Sequence, residues 1–305
     1  MFPGPGSFSL DCFRPMAEWT IHLLETPEEM TAVEALQRQV WIGSETDVIP
    51  AHMLLAAAHN GGLALGAFVG TDLVGVAFGF PGIYTTPDGP RLKHHSHILG
   101  VRPDWSGKGV GFALKRAQWQ VVRKQGIDRI TWTYDPLLSR NAHLNITRLG
   151  AVSNTYLRSE YGDMRDGLNN GLPSDRFQVD WWLNTKRVER RLSRRPRPVL
   201  ALDHYLNAGA TVYEALSARE STSHPPEMTP SLTGTLLLIE IPSEFLELKA
   251  VDLTLARDWR LYAREIFEDA FVNGYLVTDF IHEERRSFYV LTHAESTLED
   301  DQGTG

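Results

Sequence analysis

The residues able to do chemistry gather in one stretch. His95, Ser96 and His97 open an apolar run, His95-Ser96-His97-Ile98-Leu99-Gly100-Val101, that reads as a strand. Strand alternation puts His95 and His97 on one face and Ser96 on the other. An imidazole titrating near pH ~6.5 is suited to take a proton from an ammonium group. A pair of structural, hydrogen-bonded histidines is the alternative. No third ligand follows at a zinc-like spacing, so a metal site is disfavoured. Ser96 lacks the Gly-x-Ser-x-Gly turn of a hydrolase nucleophile.

Past Arg102-Pro103-Asp104-Trp105, which breaks the strand, comes Ser106-Gly107-Lys108-Gly109-Val110-Gly111 and then a helical pattern over 112–122. Glycines allow backbone N–H groups to crowd together, and the helix N-terminus adds partial positive charge. The turn therefore suits a phosphate or pyrophosphate. It is not a P-loop, because Phe112-Ala113 follows Gly111 where Lys and Ser/Thr are needed. A dinucleotide turn needs a different glycine spacing directly after its strand. Elsewhere, Asp135 lies just past a strand end, where it either handles an amine or serves as a turn aspartate before Pro136. Arg140, Arg158 and Arg176 are candidate carboxylate clamps.

Positioning these groups falls to a regular series of elements. A first strand spans 19–24. Thr26, Pro27 and Glu29 form a helix start of the capping-box kind, and the helix runs to about Trp41 with Met30, Val33, Leu36 and Val40 inward. A second helix spans 51–59 and stops at Asn60-Gly61-Gly62. Apolar runs at 63–69 and 73–80 read as a hairpin, followed by a turn-rich loop over 81–91. After the glycine turn and its helix come a strand at 129–134, a helix from Ser139 to Leu149 capped by Ser139, a polar segment holding Tyr156 and Tyr161, and a strand at 177–183. Lys186 to Arg197 holds seven Lys/Arg and reads as a solvated helix end and linker. Residues 217–231, rich in Ser, Thr and Pro, read as a mobile loop. A strand at 235–241, a helix at 255–273 and strands at 275–280 and 287–291 form a last block.

The run Val101-Arg102-Pro103-Asp104-Trp105-Ser106-Gly107-Lys108-Gly109-Val110-Gly111 resembles the main motif of the GNAT superfamily of CoA-dependent N-acyltransferases. Gly109 and Gly111 match it, while Ser106 stands where the family has Gln or Arg. Asn141-Ala142-His143-Leu144-Asn145-Ile146-Thr147-Arg148-Leu149-Gly150-Ala151 resembles the family's Asn…Leu-Gly-Phe motif, with Ala151 replacing the aromatic. The likeness spans roughly 18–183. The runs 130–137, 139–142 and 171–177 further resemble a bacterial subgroup some of whose members are thought to succinylate amino acids.

This resemblance implies an α/β (α+β) GNAT fold, with a central mixed, mostly antiparallel sheet flanked by helices. It also implies acetyl-CoA or succinyl-CoA as co-substrate. Backbone near Leu99 and Val101 would hold the pantetheine and the thioester carbonyl. Ser106, Gly107, Lys108, Gly109 and Gly111 would hold the pyrophosphate, and Asn141 the pantetheine arm. His97, nearest the expected carbonyl, with Asp135 and Tyr156, makes up the expected catalytic set; the family's usual tyrosine position is taken by Ile146. The basic run at 186–197 is also a candidate contact for the CoA 3′-phosphate.

The 305-residue chain, 42% hydrophobic, divides by this reading into a disordered lead-in (1–16), an acyltransferase domain (17–183), a connector (184–231) and a C-terminal partial lobe (232–305). Net charge −8 argues against nucleic acid as a partner. No apolar run approaches the ~20 residues of a membrane helix. The single cysteine, Cys12, rules out intrachain disulfides and fits a reducing cytoplasm. The expected activity is transfer of acetyl or succinyl to a small-molecule amine. Its rivals are a CoA-binding sensor without turnover and an interaction module in which the C-terminal block pairs two copies as a homodimer.

Overall fold

The computed structural model describes residues 19–41, 45–162, 170–193, 198–216 and 223–293. Two compact units divide the chain, residues 1–83 with 94–125 and residues 84–93 with 126–305. The expectations for residues 1–16 and Cys12 lie outside the described residues.

In the first unit, β1 (Thr20–Leu23) leads to α1 (Pro27–Val40). The Glu29 amide donates to the Thr26 hydroxyl at 3.2 Å and the Thr26 amide donates to the Glu29 carboxylate at 3.0 Å, which is the capping box the sequence predicts. Met30, Val33 and Leu36 are buried as expected, but Gln37 replaces Val40 among the buried positions. Its side-chain amide donates to the Ile49 carbonyl at 3.1 Å and accepts from the Ile49 amide at 2.9 Å. That exchange fastens α1 to the approach to α2 (Ala51–His59). Next come β2 (Leu63–Val69), β3 (Asp72–Thr86), β4 (Gly89–Val101) and α3 (Val110–Lys124), residues 84–93 of the β3–β4 pair counting with the second unit. Strand order is β1-β2-β3-β4, with β1–β2 and β2–β3 antiparallel. Met30, Val33, Leu36, Leu54, Val76 and Phe78 form the core against which α1 and α2 lie.

One expectation is corrected here. The 81–91 loop does not exist; β3 and β4 continue to a tight turn at Pro87-Asp88. Pro81-Gly82 suggested a loop, but Ile83-Tyr84-Thr85-Thr86 supplies β-branched and aromatic residues that extend the strand.

The second unit contains β5 (Arg129–Tyr134), α4 (Ser139–Ala142) continuing as a π-helical turn over His143–Arg148, β6 (Val152–Leu157) and β7 (Arg176–Trp182). There follow α5 (Lys186–Leu192), α6 (Leu202–Asn207), β8 (Thr211–Tyr213), β9 (Leu236–Ile241), α7 (Phe245–Val251), α8 (Leu253–Val272), β10 (Tyr275–Glu283) and β11 (Arg286–His293). Its strand order is β5-β7-β6-β10-β11-β9-β8. All pairs are antiparallel except β8–β9, so the sheet is mixed and helices flank it. The C-terminal strands share this sheet, since β10 pairs with β6 through Val277 and Ser153.

Tyr156 lies in β6, a strand the sequence hides behind polar residues. Ser139 does not cap its helix; its hydroxyl donates to the Pro242 carbonyl at 3.1 Å and Leu138 occupies the cap position. In the 217–231 region, residues 217–222 lie outside the described set, while Leu216 and His224 exchange two backbone hydrogen bonds. Phe177 meets Phe267 edge-on at 4.8 Å between centroids and Phe280 meets Tyr289 at 4.9 Å. Each such buried ring contributes ~1.5–3 kcal/mol by leaving water.

Candidate functional site

In the first unit β4 ends at Val101 and the chain turns through a short 3₁₀ segment, Pro103–Trp105. The Arg102 amide donates to the Val74 carbonyl at 2.9 Å, and the Arg102 guanidinium grips Asp104 at 2.7 Å. This fixes where the glycine turn begins. Gly107 (φ +80°) and Gly109 (φ +87°) both occupy the left-handed region, and Gly109 is the N-cap of α3. A Cβ on Gly109 would meet nothing within 4 Å, so the turn is open to solvent there. No side chain caps this end of α3. Its first-turn N–H groups and the positive end of the helix dipole therefore face an open, exposed turn made of Ser106 to Gly109. Lys108 sits beside it with its Nζ 4.3 Å from the centre of the Trp105 ring.

Along β4, His95, His97, Leu99 and Val101 alternate onto one face. His97 packs with Phe78, Phe80 and His95, ring centres 6.4, 5.7 and 5.8 Å away. The residue is exposed, yet these neighbours displace water and lower its pKa below the ordinary histidine value. The imidazole is thus neutral, and able to accept a proton, at pH ~7.

The opposite face of β4 carries a network that the sequence does not announce. Lys115 on α3 donates to the Ser96 hydroxyl at 2.7 Å and to the Gln118 carbonyl oxygen at 3.2 Å, and the Gln118 amide donates to His94 Nε2 at 3.2 Å. All four residues are buried, Lys115 to 1% exposure and Ser96 to 4%. Burial holds Lys115 well below its ordinary pKa and pushes His94 down to about 3, with the Lys115 amine adding to the effect on His94. The Gln118 contact assigns the His94 proton to Nδ1, which has no partner. Gly79 faces this ring so closely that an added Cβ would lie 2.3 Å from His94 Nε2. A serine beside a lysine of lowered pKa is a nucleophile–base geometry. Both are sealed from solvent, so here the pair ties β4 to α3. A faint signal existed: Gln118 lies on the helical stripe of Leu114, Ala117 and Val122.

The second unit holds the other expected residues. Asp135 is buried and accepts both guanidinium nitrogens of Arg260, at 2.8 and 2.5 Å, besides the Leu137 amide at 2.9 Å. Burial works against the Arg260 cation, but Asp135 more than offsets it and raises its pKa. Tyr156 donates to Asp175 at 3.0 Å, and Arg264 forks onto the same carboxylate at 2.9 and 3.0 Å. Burial, then the Asp175 charge, pushes the Tyr156 hydroxyl well above its ordinary pKa. Arg176 lies 4.0 Å from the Asp135 carboxylate and donates to the backbone carbonyl of Asp175. The structure thus brings Asp135, Tyr156 and Arg176 into one ion-paired cluster with Arg260 and Arg264, two partners that sequence reading missed. Arg158 forms a fork with Glu268 at 2.6 Å. Asn141 and Arg140 are exposed on α4, and Ile146 is a core residue.

Over 54% of its length the chain is similar to solved acetyltransferases. One, of the GNAT family, from Desulfovibrio desulfuricans, shares 16% identity over 99% of that chain at a TM-score of 0.43. The ribosomal-protein-S18-alanine N-acetyltransferase from Escherichia coli shares 16% over 94% of its own chain at 0.41. Arabidopsis thaliana Naa50, in complex with the bisubstrate analogue CoA-Ac-MVNAL, shares 15% over 98% of its chain at 0.39. At these identities and scores the likeness carries no argument about activity. No protein-family model matches the chain, and no curated protein matches it. Among the described residues no helix is long and apolar enough to cross a membrane.

Proposed function

We propose that this chain is an acyl-CoA-dependent N-acyltransferase that moves acetyl or succinyl from CoA to the amine of a small molecule. The observation carrying this reading is the exposed turn with Gly107 and Gly109 at positive φ, set against the uncapped N-terminus of α3. Such a turn fits a pyrophosphate, and Lys108 adds positive charge beside it. Leu99 and Val101 lie on the β4 face that runs toward the turn, which suits backbone contacts to the pantetheine and the thioester carbonyl. An amino acid is the proposed acceptor. A homodimer in the cytoplasm is part of this proposal.

In the reaction the amine nitrogen attacks the thioester carbonyl. The new C–N bond forms, the C–S bond breaks, and CoA leaves as its thiolate. His97 takes the ammonium proton, directly or through water, and that proton can return to the thiolate. Asp135 and Tyr156, proposed from sequence for catalysis, fit a supporting role better, since their polar atoms hold Arg260 and Asp175. That commitment is also what favours a second reading, CoA binding without turnover.

A free-thiol release assay with acetyl-CoA and succinyl-CoA against pooled amino acids separates the two. Release from one donor with one amine pool is the expected result, and His97→Ala should lower kcat at least tenfold with CoA affinity unchanged. Tight CoA binding with no release from any pool would establish the second reading instead.

A further inference from the structure

We propose that the acceptor is an amino acid with an aromatic side chain, and that Phe80 and His95 are the residues that select it. The proposal rests on the acyl-transfer reading above and uses residues of the first unit alone. Phe78 and Phe80 are two apart on β3, and His95 and His97 are two apart on β4, so each pair shares one face of its strand. Ring contacts show that it is the same face of the sheet. His97 meets Phe78 edge-on at 6.4 Å between centroids. Phe80 lies 5.3 Å from His95 and 5.7 Å from His97, and the two imidazoles are 5.8 Å apart. Phe78 is buried and Phe80 packs against the core that carries α1 and α2, so the array has a fixed backing. Phe80 and His95 are half-buried and His97 is exposed.

The packing within the array says what chemistry it favours. Phe80, His95 and His97 are tilted against one another by 44–48°, and none of the three lies flat on another. Aromatic rings prefer edge-to-face or offset neighbours at centroid separations of about 4.5–7 Å. A further ring placed beside this triplet gains such contacts with more than one partner, and an aliphatic chain gains only the removal of apolar surface from water.

Direction along β4 says which part of the acceptor meets the rings. On the acyl-transfer reading, CoA takes the glycine turn and the end of β4 at Val101 and Leu99. His97 precedes Leu99 on the same face, and His95 precedes His97. An amine held by His97 beside the thioester therefore has CoA on one side and the ring triplet on the other. Alternate strand positions are ~7 Å apart, a distance that the side chain of an aromatic amino acid can cover from its own amine. That side chain leaves over Phe80 and His95.

The test measures thiol release by the full chain with L-phenylalanine, L-leucine and L-alanine, using acetyl-CoA and succinyl-CoA in turn. L-Phenylalanine should show a kcat/KM about fivefold above L-leucine and roughly tenfold or more above L-alanine. Phe80→Leu keeps an apolar side chain and removes the ring. It should raise KM for L-phenylalanine about fivefold and erase the preference over L-leucine, with kcat and the KM of the acyl donor unchanged. Phe80→Tyr, which restores a ring, should restore the preference, and His95→Leu should raise the same KM. A variant damaged in its fold would instead lose kcat and donor affinity together. Equal kcat/KM for L-phenylalanine and L-leucine would mean an apolar contact only and overturn the proposal. So would an unchanged preference in Phe80→Leu. Release with other amines but not with L-phenylalanine would overturn it and leave the acyl-transfer reading standing, whereas no release with any amine would remove both.

Discussion

His94 makes a quantitative prediction. Its pKa in the folded chain is pushed down from 6.5 to about 3 by burial first and then by the neighbouring Lys115 and His95. A depressed pKa means the fold accommodates only the neutral ring. The stability this provides is complete above pH ~6.5 and is lost as pH falls toward ~3, because the unfolded chain gains a proton that the folded chain refuses. Each pH unit inside that window costs ~1.4 kcal/mol, so moving from pH ~6.5 to ~5 should cost ~2 kcal/mol. His94→Gln keeps an acceptor for the Gln118 amide and removes the titration. The assay is amide hydrogen exchange over peptides from β4 and α3, corrected for intrinsic rates. Between those two pH values, protection in the parent chain should fall ~30-fold further than in the variant. Equal falls would mean that His94 is hydrated or charged in the fold, and the buried network would have to be redrawn.

The glycine turn makes a contrast inside five residues. Gly109→Ala should destabilise the chain by ~1–2 kcal/mol, since φ +87° disfavours any Cβ even in open space, and CoA affinity should drop with it. Gly111→Ala, where a Cβ would meet only Leu99 and Val101 at 3.7–3.8 Å inside the helix, should leave stability unchanged or raise it by up to ~1 kcal/mol. Urea unfolding of both variants checks the pair; equal effects would remove the case for a left-handed cradle. In the second unit, Asp135→Asn leaves the Arg260 cation buried without its partner and should cost ~3–5 kcal/mol. A loss below ~1 kcal/mol in the same assay would show that water reaches the pair.

What the sequence made legible follows from where the information sits. The capping box at Thr26 and Glu29, the hairpin around Gly70 and the glycine turn before α3 are each specified by neighbouring residues. Local rules therefore found them. The extended β3–β4 hairpin was missed because Pro81 and Gly82 outweighed the four β-formers after them. β6 was missed because Ser153, Asn154 and Thr155 look like a loop until β7 and β10 supply their hydrogen-bonding partners. The buried groups were the least legible. Asp135 finds Arg260 across 125 residues, and His94 reaches Lys115 only through Gln118. No window of sequence contains such a pair, so each charge looked like a free actor.

That difference bears on where the chemistry can reside. A general base must keep a lone pair available, and an acid must release its proton near the working pH. The Asp135 carboxylate is taken up by Arg260 and a backbone amide, and the Tyr156 hydroxyl is held by Asp175 and pushed further from neutral pH. Burial holds Lys115 well below its ordinary pKa, but at 1% exposure it can meet no substrate. Of the expected catalytic set of His97, Asp135 and Tyr156, His97 combines an exposed position, a pKa lowered below the ordinary histidine value and a place on the strand leading into the glycine turn. Elimination by hydrogen-bond commitment thus arrives at the residue that the family resemblance places nearest the carbonyl.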